Sequence, residues 1–306
     1  MKQLLLGAGL ALVLAGAAQA QDDYSLPEGA MKYGIIDLDS PEGAMTAARK
    51  VQCSLIDEKP VTYYWFGKAY SRKQGERDKH LFDVEGMNIR QCGTVNDPER
   101  GLGYKLVSRE ILLYLDKETG EPLATWDNPW SGETVEVMHV ANDPVNFSSY
   151  VTGRDGQPTT FYGDVLGDRF QMNSTFPLWY SNPLGSDYQA EIGGTYHATE
   201  MFNFLGRTDE LTDPGEDTTD VAVGWARMSD WLPWMKMNGR EGIIYMHTAG
   251  RKLASYDDLS ERMKTEIATN YPKYASPPPV SDPRPNMTSW KYYKAVRDGT
   301  EVLPER

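Results

Sequence analysis

The chain has 306 residues and a formal net charge of −13, from 31 basic and 44 acidic side chains. A negative balance of this size repels phosphate backbones and anionic lipids, so nucleic-acid binding and peripheral membrane binding are disfavoured. The length is enough for one large domain with an extensive core, so a disulfide between the two cysteines is not required for stability.

The first twenty residues are typical of a secretory signal peptide. Lys2 precedes an apolar run, and Ala18-Gln19-Ala20 has the small-x-small pattern that signal peptidase cleaves. A short membrane helix is the alternative, but about 15 apolar residues fall short of the ~20 that a span needs. No cysteine stands at the boundary, which disfavours a lipoprotein. We expect residues 1–20 to be removed, leaving a periplasmic or secreted protein without stable membrane insertion.

A short helix is predicted next, followed by many strands. Ser40 suits an N-cap, Pro41 the first helical position and Glu42 the positive helix end, which predicts a helix to about Lys50. "VTYYWFGKAY" then begins a series of roughly ten strand patterns separated by turn signals. Such a series predicts a mainly β fold, either an antiparallel β-barrel or a strongly curled, calycin-like sheet.

Alternation within the strand patterns indicates which side chains share a face. In "DRFQMNSTFPLW", Phe170, Met172, Phe176 and Leu178 share one face. In "VTYYWFGKAY", bulky residues lie on both faces, which favours a sheet with a filled or ligand-holding interior and a covered exterior.

The last fifty residues change in character. "SYDDLSERMKTEIATNYP" predicts one amphipathic helix with a Ser255 cap and a stop at Pro272. An extended, proline-rich segment at 275–306 follows, in which Trp290 is among the aromatic residues expected to dock it. No linker is evident before it, so residues 21–306 are expected to form a single domain.

Cys53 and Cys92 leave two possibilities open. In an oxidising compartment they can pair. If they lie mid-strand in the first and third strands of a simple meander, however, their Cα atoms are ~9–10 Å apart, which is beyond disulfide reach.

Several long, tryptophan-rich stretches resemble a known family. "WLPWMKMNGREGIIYMHTAGRKL", "LFDVEGMNI", "LVSREILLYLDKETGEPLATWDNPWSGETVEVMHVANDPVN" and "TSWKYYKAV" are similar to the bacterial family 1838 of domains of unknown function. The likeness extends over roughly residues 37–297. Members often carry export signals, and the resemblance implies no activity or catalytic residue.

Histidines and one aspartate are the candidate acid–base groups. His139, His197 and His247 fall in predicted strands, and would converge in a Trp/Tyr-lined cavity if the faces that carry them point inward. They are otherwise structural, and no compact spacing supports a metal site. Asp143 lies in "HVANDPVN", where Asn142 to Pro144 is a turn signature or, alternatively, holds a carboxylate at the barrel rim.

Two further segments carry unusual side chains. Arg109 and Glu110 interrupt an apolar run, and strand neighbours point to opposite faces, so each needs a partner elsewhere. Arg109 is expected to reach a carboxylate of the protein or of a ligand. "SDWLPWMKMNGREG" gathers Trp231, Trp234 and Met235 in a loop that forms either a cavity wall and lid or a plug of the barrel.

These patterns predict an exported β-barrel that binds a small, largely apolar molecule in an aromatic and methionine-lined cavity. The predicted ligand-binding residues are Trp65, Arg109, Trp231, Trp234, Met235, Tyr245 and His247. One alternative is a cofactor-free acid/base enzyme (isomerase, cyclase or lyase) that uses His139, Asp143 and His197 in the same cavity. Another is a structural or partner-binding envelope protein. No phosphate loop, nucleophile elbow or dinucleotide fingerprint is present, so no cofactor or metal is predicted. The oligomeric state stays open.

Overall fold

The computed structural model describes residues 24–181 and 195–304. The predicted leader lies outside these residues. Within them, nine antiparallel strands form one strongly curled sheet: β3 (Val61–Arg72), β4 (Lys79–Asp97), β5 (Gly101–Leu115), β8 (Val140–Tyr150), β9 (Gly163–Leu166), β10 (Arg169–Ser181), β11 (Thr195–Arg207), β12 (Ala222–Ser229) and β13 (Ile243–Leu253). Their order is β8-β5-β4-β3-β13-β12-β11-β10-β9. The predicted fold class, a mainly β protein with a strongly curled sheet, is confirmed.

Two small hairpins accompany the main sheet. The first pairs β1 (Met31–Lys32) with β2 (Ile35–Ile36), ahead of the first helix. The second pairs β6 (Thr125–Asp127) with β7 (Thr134–Glu136), between β5 and β8.

The first helix begins where the sequence predicts. In α1 (Pro41–Gln52), the Ser40 hydroxyl accepts a hydrogen bond from the Gly43 amide at 3.0 Å. Cys53 directly follows this helix and forms a disulfide with Cys92 in β4, with a Cα–Cα distance of 5.9 Å. The geometry that would have kept the cysteines apart does not occur, because Cys53 ends a helix instead of occupying a strand.

The predicted amphipathic helix is divided into two. Ser255 caps a single 3-10 turn, Tyr256–Asp258, and Ser260 then caps a separate helix, α3 (Glu261–Asn270). The chain also forms α2 (Thr208–Thr212) and a last helix, α4 (Ser289–Arg297). The sequence predicts an extended segment over residues 275–306, whereas Ser289–Arg297 within it is helical. Trp290 docks this helix: it is fully buried, with its ring 5.2 Å from that of Tyr196.

One face of the sheet is concave. Tyr63 in β3 and Phe204 in β11 lie three strands apart, yet their ring centroids are 6.1 Å from each other. In a flat sheet three ladder spacings would separate the strands by about 14 Å. The sheet therefore curls around the face that carries these two rings, which we call the concave face. Tyr64 and Phe66 point to the opposite, outer face.

Candidate functional site

A carboxyl and an amide lie side by side on the concave face. The register pairs Tyr63 with Asn88, Asn88 with Glu110, and Glu110 with Asn142. Cross-strand partners point to the same side, so all four lie on the concave face. The Asn142 side-chain amide donates a 2.6 Å hydrogen bond to Oε1 of Glu110.

An ion pair lies further along the same face. Glu200 of β11 and Arg227 of β12 are cross-strand partners, and Nη1 of Arg227 donates to Oε1 of Glu200 at 2.6 Å. Nη2 of Arg227 donates to the Tyr196 hydroxyl at 2.9 Å. Burial opposes the charged guanidinium, but the Tyr196 hydroxyl that accepts its hydrogen bond and the Glu200 carboxylate raise the pKa of Arg227 above its ordinary value.

A second arginine completes this polar group. Arg90 of β4 donates to Asn88 and to Gln52, each at 2.7 Å, and its guanidinium lies 4.6 Å from the centre of the Tyr63 ring. Both arginines of the concave face are therefore already hydrogen-bonded to neighbouring side chains.

Glu110 and the ion pair lie on the same concave face, although four strand steps separate β5 from β12. Burial raises the pKa of Glu110, and the charge of Glu200 raises it further. The Asn142 hydrogen bond and the charge of Arg227 act in the opposite direction without reversing the shift. The carboxyl of Glu110 is thus favoured in its protonated form relative to an exposed glutamate.

Aromatic rings flank these polar groups. Phe176 of β10 contacts Phe202 at 5.8 Å between ring centroids, Phe202 contacts Phe204 at 6.0 Å, and Phe204 contacts Tyr63. Trp65 and Trp225 form a second contact at 6.2 Å. The series runs from Phe176, which is 51% exposed, to the fully buried Tyr63. The side chains of Glu200 and Arg227 remain 20% and 12% exposed, so solvent reaches this face.

The three predicted histidines are not brought together. His139 is buried, its Nδ1 accepts the Tyr114 amide at 3.0 Å, and its ring stacks on that of Tyr114. His197 is 56% exposed and lies next to Asp230 on the outer face. His247 is also exposed on that face. In these two strands the concave face carries the residue directly before each histidine, Tyr196 and Met246. His197 and His247 therefore point to the outer face.

Asp143 lies on the outer face, opposite to its neighbour Asn142. It accepts from Arg284 at 2.8 Å and is within 3.0 Å of Arg109 and 3.3 Å of Lys273. Burial alone would raise its pKa, but the Arg284 hydrogen bonds and the Arg109 charge hold the pKa of Asp143 below its ordinary value. The predicted turn is instead part of β8, at a shift of the pairing register with β5. The carboxylate links the sheet to the C-terminal segment.

The tryptophan-rich loop belongs to the core. Trp231, Trp234 and Met235 are 3%, 2% and 0% exposed. Trp234 contacts three aromatic rings at 5.3–6.0 Å, those of Phe82, Tyr114 and Trp126. Residues 237–241 line an open surface pocket of about 420 Å³. Trp231, Trp234 and Met235 are thus part of a buried aromatic cluster.

The remaining predicted ligand residues are divided between the faces. Trp65 is on the concave face. Arg109 binds the main chain of Lys273 and Ser276 on the outer face. Tyr245, also on the outer face, stacks on Tyr70 at 5.2 Å and donates to Asp78 at 2.9 Å.

In the sequence Glu110 stands out as a charge within an apolar run, whereas Glu200 and Arg227 are not among the predicted site residues. A usable signal exists for both. Glu200 is a lone charge two residues before Phe202, and Arg227 is a lone charge two residues after Trp225. Each therefore shares a strand face with a large aromatic residue, which is unusual for a solvated face.

Residues 24–181 and 195–304 contain no group of three or more His, Cys, Asp or Glu side chains that could hold a metal ion. In the same ranges, no helix is long and apolar enough to span a bilayer.

Comparison with known proteins gives a family. No curated protein sequence matches the chain. A family model described as "Protein of unknown function (DUF1838)" matches residues 58–297, which is most of the chain and includes all nine strands of the sheet. This confirms the resemblance carried by the tryptophan-rich motifs, and the chain belongs to the DUF1838 family.

Proposed function

We propose that this protein binds a small, largely apolar molecule on the concave face of its sheet. The observation that carries the proposal is that two hydrogen-bonded pairs lie on one partly accessible face lined by aromatic rings. These pairs are Glu110–Asn142 and Arg227–Glu200. Burying four such polar groups costs free energy unless each is fully paired, so they are unusual in a protein core that has no other role.

The two kinds of lining define the ligand. Phe176, Phe202 and Trp225 supply apolar surface, and burial of apolar area contributes about 25 cal/mol per Å². Glu110 and Arg227 supply a few fixed polar groups, which set the orientation of a bound molecule. The ligand therefore has an apolar body and at least one oxygen-bearing polar group.

The set of ligand-binding residues predicted from the sequence changes accordingly. Trp65 stays in the site, whereas Trp231, Trp234 and Met235 support it from the core. Arg109, Tyr245 and His247 lie on the outer face and are left out of the proposed binding surface.

A fluorescent probe tests the proposal. The apolar, anionic dye 8-anilinonaphthalene-1-sulfonate is expected to bind the wild-type protein. Phe176→Ala is expected to weaken this binding about tenfold, because full burial of a Phe side chain contributes ~1.5–3 kcal/mol and the dye would cover the exposed half of Phe176. Trp179→Ala is the matched control, because Trp179 lies on the same strand, is 72% exposed and points to the outer face.

Two results would contradict the proposal. One is dye binding that Phe176→Ala leaves unchanged, and the other is an equal loss in both variants. Native mass spectrometry of protein purified from its own host adds an independent measurement, in which a retained small molecule is expected to be absent from Phe176→Ala.

We also propose that the protein is exported. The leader pattern at residues 1–20 supports this, and the Cys53–Cys92 disulfide is consistent with an oxidising compartment. N-terminal sequencing of the mature protein is expected to begin at Gln21 in a periplasmic or culture fraction. An intact Met1 in the cytosolic fraction would disprove export.

A further inference from the structure

Glu110 is held through one oxygen and open at the other. Oε1 accepts the Asn142 amide at 2.6 Å, whereas no described residue hydrogen-bonds Oε2. Glu110 is a half-buried residue and not a fully buried one. Its second oxygen is therefore available to a molecule on the concave face.

A second glutamate in the same sheet shows what a structural carboxylate looks like here. Glu85, on the outer face of β4, is completely buried. Its oxygens accept hydrogen bonds from Tyr64 at 2.8 Å, from Arg262 at 2.6 Å and from Ser260. Both of its oxygens have partners, and one of those partners is a cation.

Glu110 has no such cation among the described residues. The charged groups that face it are Glu200 from β11, Arg227 from β12 and Arg90 from β4. Arg227 is hydrogen-bonded to Glu200 and Tyr196, and Arg90 to Gln52 and Asn88. Both arginines donate to other acceptors, and the charge of Glu200 opposes a second negative charge on Glu110.

We propose that Glu110 is an acid–base group, which exchanges a proton through Oε2 with a carbonyl or hydroxyl oxygen of the bound molecule. This inference rests on the proposed function, because it places the ligand on the concave face. Arg227–Glu200 serves as a fixed ion pair opposite to it. The class of ligand is an apolar molecule that carries such an oxygen.

The proton transfer balances without a further reactant. The protonated carboxyl gives its proton from Oε2 to the ligand oxygen and becomes a carboxylate, still held at Oε1 by Asn142. When the ligand or solvent water gives up a proton, Oε2 takes it and the carboxylic acid is restored. No electrons are transferred. The raised pKa of Glu110 supports this role, because it increases the protonated fraction near neutral pH.

An apolar carbodiimide tests the inference directly. N,N′-dicyclohexylcarbodiimide adds to a protonated carboxylic acid: the acid proton moves to nitrogen, oxygen bonds to the carbodiimide carbon, and the adduct rearranges to a stable N-acylurea. Labelling of the full chain, followed by peptide mass spectrometry, is expected to modify Glu110 and to leave Glu85 unmodified. The rate is expected to fall about tenfold per pH unit above the pKa of Glu110, as the protonated fraction falls.

Glu110→Gln is the matched variant, because its amide keeps the size of the side chain. We expect it to lose the label at residue 110, whereas Trp179→Ala, at an exposed outer-face position, is expected to keep both the label and the binding of 8-anilinonaphthalene-1-sulfonate. The same dye, added to wild type, is expected to slow the labelling of Glu110 by occupying the concave face.

The outcomes separate the two proposals. If the dye binds in a Phe176-dependent manner but Glu110 is not labelled, the acid–base role is wrong and the binding site stands. If dye binding does not depend on Phe176, the binding site is wrong. If, in addition, the dye does not slow the labelling of Glu110, the carboxyl is reactive but is not part of a ligand site. The acid–base inference is then wrong as well.

Discussion

The disulfide gives a stability prediction whose size follows from the chain. Cys53 and Cys92 are 39 residues apart and both fully buried, in a small cluster with Met45, Tyr104 and Leu106. Closing a loop of this length lowers the entropy of the unfolded chain by an amount that corresponds to about 4 kcal/mol of stability at 25 °C. The double variant Cys53→Ala/Cys92→Ala is therefore expected to unfold with a free energy about 4 kcal/mol smaller than that of wild type.

Equilibrium unfolding in guanidinium chloride, followed by tryptophan fluorescence, measures this difference. A reductant in the denaturant is expected to lower the wild-type midpoint towards that of the double variant. The same reductant should leave the double variant unchanged, which separates loss of the cross-link from any general effect of the reagent.

Equal midpoints for wild type and the double variant, with and without reductant, would refute the reasoning. That result would mean either that the cysteines are unpaired or that α1 and β4 stay together in the unfolded state without the bond. A mass increase of wild type on reduction would distinguish the two, because only a paired form gains hydrogen.

Two further changes test the core and the outer ion cluster. Trp234→Ala is expected to lower the unfolding free energy by about 3–5 kcal/mol in urea titrations, whereas Trp179→Ala, at an exposed position, should change it by less than ~0.5 kcal/mol. Asp143→Asn is expected to cost about 3 kcal/mol at pH 7, because it leaves Arg109 largely buried without its counter-ion. The folded pKa of Asp143 lies below its ordinary value, so the wild-type advantage is present above pH ~3.9 and lost as pH falls through the folded pKa. Equal urea stabilities of wild type and Asp143→Asn at pH 7 would contradict the structural role.

Local patterns predicted the elements well because their causes are local. Ser40 caps the first helix as expected, and the alternation in β10 places Phe170 and Met172 together in the core with Phe176 further along the same face. Alternation states which residues share a face, but not which face is concave. His197 therefore appeared as suitable for a cavity as its neighbour Tyr196, and the structure places the histidine outside.

The proposed site depends on the order and curl of the sheet, which no single segment encodes. Glu110 and Arg227 are separated by 117 positions in the sequence and by four strand steps in the sheet, yet both lie on the concave face. The sequence could point to each isolated charge, since burial of a lone charge is costly. It could not show which charges would meet.

The two faces of β5 and β8 are connected through adjacent residues. Arg109 and Asp143 point outward and hold the C-terminal segment, while Glu110 and Asn142 point inward to the proposed site. Because β8 is an edge strand, its free side needs covering.

The C-terminal segment provides that cover. The Met287 amide donates to the Pro144 carbonyl at 2.9 Å, and Asn286 exchanges hydrogen bonds with the main chain of Asn146. The strand that presents Asn142 to Glu110 is thus fixed from its outer face and from its free edge. The carboxylate of Asp143, a candidate acid–base group in the sequence, pairs with Arg109 and Arg284 on the outer face and so holds the C-terminal segment against the strand that carries Asn142.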